Sequence, residues 1–76
     1  MTGAPRRQFV VCIDNEDYPA SLEKRKIYIA LRDAEAESKG LLRIIDESGE
    51  DYLYTKTLFR SIELPPSLRR AVMAAA

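Results

Sequence analysis

Short apolar runs separated by polar, turn-forming stretches run along most of the chain. Phe9-Val10-Val11-Cys12-Ile13 is apolar and β-branched, too short for a helix, and reads as a strand buried on both faces. The next stretch, residues 14–25, is a loop by composition. Asp14-Asn15 opens a turn, and Pro19 keeps Tyr18 out of helical conformation. A loop this long is unusual in a small domain, and such loops often carry function. Leu22 is its expected anchor to the core. Lys26 to Arg32 alternates with period two, with Ile27, Ile29 and Leu31 on one side and Tyr28 on the other.

Residues 33–39 contain helix-favouring Ala and Glu, but the stretch is short and reads as a loop with one turn. Gly40 then supplies a positive φ. Leu41 to Ile45 is a third strand, with Leu42 and Ile44 on one face and Leu41, Arg43 and Ile45 on the other. Residues 46–51, centred on Gly49, predict a tight hairpin. Tyr52-Leu53-Tyr54 returns. Thr55 to Leu58 fits a single tight helical turn, and Phe59 to Leu64 a last strand. Pro65-Pro66 stops pairing, because proline lacks the amide hydrogen a ladder needs. Residues 67–76 have helical propensity, with Leu68 and Val72 on one face. The expected organisation is a loose tail over 1–7, a mostly β domain over 8–64, and a short helix or frayed tail over 65–76.

Size and composition narrow the functions. A chain of 76 residues has room for one compact core, but not for a core and a deep cleft. Hydrophobic residues at 46% and charged residues at 32% fit a folded domain. Twelve Lys and Arg balance twelve Asp and Glu, which weighs against a dedicated nucleic-acid binder. There is no His, the side chain best suited to proton transfer at neutral pH and the commonest metal ligand. A single cysteine, no signal-peptide pattern and no apolar run of membrane-spanning length lead to the expectation of a cytoplasmic protein without membrane attachment.

The order strand, long loop, strand, medium loop, strand, tight hairpin, strand, helical turn, short strand resembles the Src-homology-3 domain. The resemblance covers roughly residues 8–64. Locally, Thr55 to Ile62 (TKTLFRSI) has the length and apolar positions of the family's Pro-Ser-Asn-Tyr-Val-x-x-Ile segment, with Phe59 and Ile62 as core residues. Val11 to Asn15 sits where the family has its Ala-Leu-Tyr-Asp-Tyr strand. The resemblance implies a five-stranded barrel with a short C-terminal helix. It also implies a peptide groove of aromatics and a proline. The groove positions are Ile13, Asn15, Leu41, Thr55 and Leu58 here, and none keeps the family's residue. A slip of one residue would bring Tyr18 or Tyr54 near the groove. Without Trp anywhere in the chain, polyproline recognition is not expected.

No constellation of reactive groups stands out. The acidic stretch Asp46-Glu47-Ser48-Gly49-Glu50-Asp51 lacks the ligand spacing of a calcium loop and reads as a solvated hairpin tip. Cys12 reads as a small buried hydrophobe with no His to activate it. The basic groups Arg6-Arg7, Lys24-Arg25-Lys26 and Arg69-Arg70 read as solubilising charge. The tyrosines are more informative, because exposed tyrosines concentrate at interfaces. Tyr28 together with Tyr52 or Tyr54 is expected on the outer face. The reading is a non-catalytic, monomeric interaction module without cofactor or metal. It would bind a protein partner through the loop 14–25 and a face containing Tyr18, Leu41, Ile45, Tyr52, Tyr54 and Leu58. A nucleic-acid-binding barrel is the alternative, and an enzyme is the weakest reading.

Overall fold

The computed structural model describes residues 7–75. Five strands form: β1 (Arg7–Cys12), β2 (Ile27–Leu31), β3 (Leu41–Ile45), β4 (Asp51–Thr55) and β5 (Phe59–Ile62). A short helix α1 (Ala34–Ser38) joins β2 to β3, and a one-turn 3-10 helix (Lys56–Leu58) joins β4 to β5. The C-terminal helix α2 spans Pro66–Ala75. The expected tail over 1–7 falls outside the described residues up to residue 6, and Arg7 already belongs to β1.

All five strands lie in one sheet in the order β4-β3-β2-β1-β5, and every neighbouring pair is antiparallel. The register aligns one row of apolar side chains across the sheet. Val10 lies opposite Tyr28, Cys12 opposite Phe59, Ala30 opposite Ile44, and Leu42 opposite Tyr54. This row forms the main core, closed from above by Leu22 of the loop and by Leu58. Leu22 is 1% exposed, so the loop is pinned by the residue its sequence marked. Each fully buried side chain of this kind contributes about 1.5–3 kcal/mol.

The face of β2 is the reverse of what its alternation suggested. Tyr28 and Ala30 are buried, while Ile27 is 36% exposed and Ile29 and Leu31 are half-buried. Tyr28 is therefore in the core and not on an outer tyrosine face. Tyr54 joins it there. The two rings pack edge-on against Phe59, with centroids at 6.4 and 6.2 Å. Ring pairs in this arrangement add about 0.5–1.5 kcal/mol beyond the area they bury.

Turn chemistry matches the chain's punctuation. Gly40 and Gly49 both have positive φ, at 76° and 84°, which glycine adopts at no steric cost. The stretch after β2 is more ordered than a loop with a turn. Asp33 caps it by accepting the Ala36 N–H at 3.1 Å, and Ala36 is buried. A side-chain cap of this kind is worth about 0.5–2 kcal/mol, enough to set a helix of one and a half turns.

The opposite face of the sheet has less cover. Phe9 is on this side and only 1% exposed, with Ile29 and Ile62 opposite it on the neighbouring strands and the Arg69 guanidinium over its ring at 4.9 Å. Arg69 also donates to the Arg7 carbonyl at 2.9 Å. Pro66 starts α2 where its missing N–H costs nothing, and the first helical bond runs from Arg69 N–H to the Pro65 carbonyl at 2.8 Å. Val72 reaches a shallow hollow shared with Ile27, Ile29 and Ile45. So α2 docks through Arg69 and Val72, while Leu68 is left 48% exposed. β5 ends at Ile62, short of the expected Leu64.

Candidate functional site

The loop and the β3–β4 hairpin meet along one side of the core, and two carboxylates fasten that junction. Asp46 is the last residue before the hairpin turn. Its side chain accepts from the Ser48 N–H at 2.9 Å and the Ser48 hydroxyl at 2.6 Å, which closes the turn. Its other oxygen accepts from the Tyr54 hydroxyl at 2.6 Å. Asp46 is 7% exposed. Burial pushes its carboxyl up, but the hydrogen bonds from Ser48 and Tyr54 outweigh this and hold it below the ordinary value. Burial and the Asp46 partner push the Tyr54 hydroxyl up to about 12.

Glu47 makes the second fastening. It accepts from the Tyr28 hydroxyl at 2.5 Å and from Lys26 Nζ at 2.6 Å, and its N–H donates to the Ser21 carbonyl at 3.1 Å. The Tyr28 oxygen in turn accepts the Glu23 N–H at 2.7 Å. Lys26 and Tyr28 hold the Glu47 carboxyl below its usual value, and burial pushes the Tyr28 hydroxyl up. The hairpin tip is solvated from Glu47 to Asp51, as its composition suggests, and Asp46 at its base is buried. Two of its carboxylates satisfy the hydroxyls of two core tyrosines, as a buried O–H requires.

A groove of about 400 Å³ lies over this floor. Tyr18 forms one wall, set edge-on against Tyr54 with ring centroids at 4.9 Å. Backbone bonds from Tyr18 N–H to Asn15 and from Leu22 N–H to Tyr18, at 2.8 and 2.9 Å, hold the loop in place. Tyr52 and Leu53 form the other wall. Tyr18, Tyr52 and Leu53 are 39%, 50% and 43% exposed. Of the acidic side chains of the loop and hairpin, Asp46 lines the groove, whereas Glu47 turns to Lys26 and Asp51 to Arg43. Among the described residues, neither Asp17 nor Glu50 has a cation within ion-pair distance.

The six residues expected to share a partner-binding face do not share one. Tyr18, Tyr52 and Tyr54 do line the groove, with Tyr54 as its buried floor. Leu41 lies on the other face of the sheet, in a separate hollow with Ala36, Arg43 and Leu53. Ile45 lines the hollow that Val72 enters. Leu58 packs against the core. The cause is the strand period. Leu41 and Ile45 lie an odd number of residues from Leu42 and Ile44, whose row carries the core.

Asp46, Glu47, Ser21 and Leu53 were missed as parts of this junction. Two tyrosines in apolar strands signal that two acceptors must be nearby, and the acidic hairpin is their richest source. Among the described residues, no three of His, Cys, Asp and Glu converge closely enough to hold a metal ion. No described helix is long and apolar enough to cross a membrane. No protein family matches the chain, and no match was found among curated proteins or solved structures.

Proposed function

We propose that this chain is a small non-catalytic interaction module that takes a protein partner in the groove between the loop 14–25 and β4. The observation that carries the proposal is the exposed trio Tyr18, Tyr52 and Leu53, held around a rigid, fully hydrogen-bonded floor. Tyrosines of this kind offer large contact area with little conformational freedom to lose. Leu41, Ile45 and Leu58 are not part of the proposed surface. The groove lining holds no Lys or Arg to take phosphates, which supports a protein partner over nucleic acid.

The proposal includes a Src-homology-3-like barrel. Its support is the strand order, the 3-10 turn before β5, and the packing of Tyr54 on one edge strand against Phe59 on the other. That contact, next to the 3-10 turn that joins β4 to β5, supports a sheet that curls toward a barrel. In this reading the family's polyproline groove has lost its aromatic and proline positions, and the working surface has moved toward the hairpin.

A random-peptide display selection on the immobilised chain, followed by amide-shift mapping of the enriched peptides, tests the proposal. Enriched peptides are expected to shift Tyr18, Ser21, Tyr52 and Leu53. Tyr52→Ala is expected to weaken them about tenfold or more, as loss of an aromatic anchor does. Peptides that bind Tyr52→Ala unchanged, or that map to α2, would sink it. So would a selection that enriches nothing.

A further inference from the structure

The face of the sheet away from the main core is itself apolar. Ile62, Phe9, Ile29 and Ile45 follow one another along a single register line across β5, β1, β2 and β3. Val11 pairs with Ile27 in the next line of the same face. Phe9 is buried, Ile29, Ile45 and Ile62 are half-buried, and Ile27 is exposed. The helix α2 lies over this line. Arg69 stands over the Phe9 ring, and Val72, almost one turn on, enters the hollow of Ile27, Ile29 and Ile45.

The helix leaves space on both sides of itself. A hollow of about 510 Å³ opens beside Arg69, between Phe9, Ile62 and Leu64, and one of about 440 Å³ beside Val72. Leu68, in the same helix, is 48% exposed. The connector adds to this loose fit. The chain leaves β5 at Ile62, which lies opposite Phe9, and Arg69 already stands over Phe9. Residues 63–65 must therefore reverse the chain at once. Leu64 and Pro65 each precede a proline, which biases both toward extended backbone and against a reversal.

We infer that α2 is an exchangeable arm, which lies on its own sheet in the monomer and on the sheet of a second copy in a two-fold dimer. The occupant follows from the contacts already present. Arg69 and Val72 fit this face, and exchanging an identical element keeps both contacts while releasing the connector from its reversal. The tethered helix meets its own face at an effective concentration on the order of 1 mM, so the closed monomer dominates below that. The inference does not depend on the groove of Tyr18 and Tyr52.

Shortening the connector tests it. A chain lacking Glu63 and Leu64 keeps all five strands but cannot turn α2 back onto its own sheet. In sedimentation equilibrium it is expected to dimerise at least tenfold more tightly than the parent. Arg69→Ala in the shortened chain is expected to weaken that dimer about tenfold, as loss of a desolvated cation–π contact does. A shortened chain that folds and stays monomeric would overturn the inference, and so would a dimer indifferent to Arg69→Ala. Should the shortened chain not fold, the parent decides. In a mixture of carbon-13-labelled and unlabelled parent at about 1 mM, filtered nuclear Overhauser spectra are expected to show Phe9 ring protons of one copy beside Arg69 of another. Their absence would overturn the inference.

Discussion

Tyr52 and Tyr54 project from the same face of β4, two residues apart, and each hydroxyl donates to a carboxylate. Tyr54 meets Asp46 at 2.6 Å and is 5% exposed, whereas Tyr52 meets Glu50 at 3.1 Å and is 50% exposed. The chemistry is the same and the surroundings differ. In the floor, both partners have given up water, so each depends on the other. On the rim, water replaces either partner with little loss. The floor therefore determines whether the chain folds, and the rim is free to answer to a partner.

The comparison breaks most visibly under truncation. Tyr54→Ala is expected to cost about 3–5 kcal/mol, as for other large aromatics in cores. That is enough to unfold much of a domain this small, and urea denaturation followed by circular dichroism will show it. Tyr52→Ala is expected to stay within about 0.5 kcal/mol of the parent. Equal losses at the two positions would mean that the rim also supports the fold.

Removing the hydroxyl alone sharpens the point. Tyr54→Phe keeps the ring and leaves the Asp46 oxygen without its donor, at an expected cost of about 1–3 kcal/mol. Tyr52→Phe is expected to be near neutral in the same denaturation series.

Titration separates floor from rim without mutation. Asp46 and Glu47 are held below their ordinary values of 3.8 and 4.5. Their contribution is complete above those values and is lost as pH falls through the lower folded ones, so acid is expected to loosen the hairpin below about pH 4. Tyr54 is shifted the other way, from 10.0 to about 12. Its contribution is complete below pH 10 and is lost as pH rises toward 12. Thermal melts across pH should fall at both ends, and Tyr54→Phe should remove the Tyr54 part of the alkaline fall. The smallest expected effect is a gain. Thr55→Pro should raise stability by about 0.4–1 kcal/mol by restricting the unfolded chain, because Thr55 has φ −62° and ψ 130°, a conformation proline adopts freely.

Much of this architecture was legible in the sequence. Apolar runs located all five strands, Gly40 marked a positive φ, Gly49 marked the hairpin, and Leu22 stood out as the loop's anchor. The orientation of β2 was not legible. Both of its rows are apolar, Ile27-Ile29-Leu31 against Tyr28-Ala30, so alternation cannot say which faces the core. What decides is an acceptor for the Tyr28 hydroxyl, and that acceptor, Glu47, lies 19 residues away. The same long-range pairing hid the role of Asp46, which by local composition belongs to a solvated turn. The candidate site was half legible. Tyr18 and Tyr52 came together as exposed tyrosines, but Leu41 and Ile45 were assigned to their face when the strand period puts them behind the sheet.

Cys12 forms no disulfide, and its thiol donates to the Asp14 carbonyl at 3.4 Å. It is 0% exposed at the centre of the core, and burial pushes its thiol up. It is also the only cysteine in the chain. A thiol reagent added to the native protein can therefore react only with molecules whose core has opened. The labelling rate becomes a clock that counts global openings, read from a single natural atom. Binding at the rim should slow that clock in proportion to ligand occupancy, so one sulfur at the centre of the domain reports on events at its border.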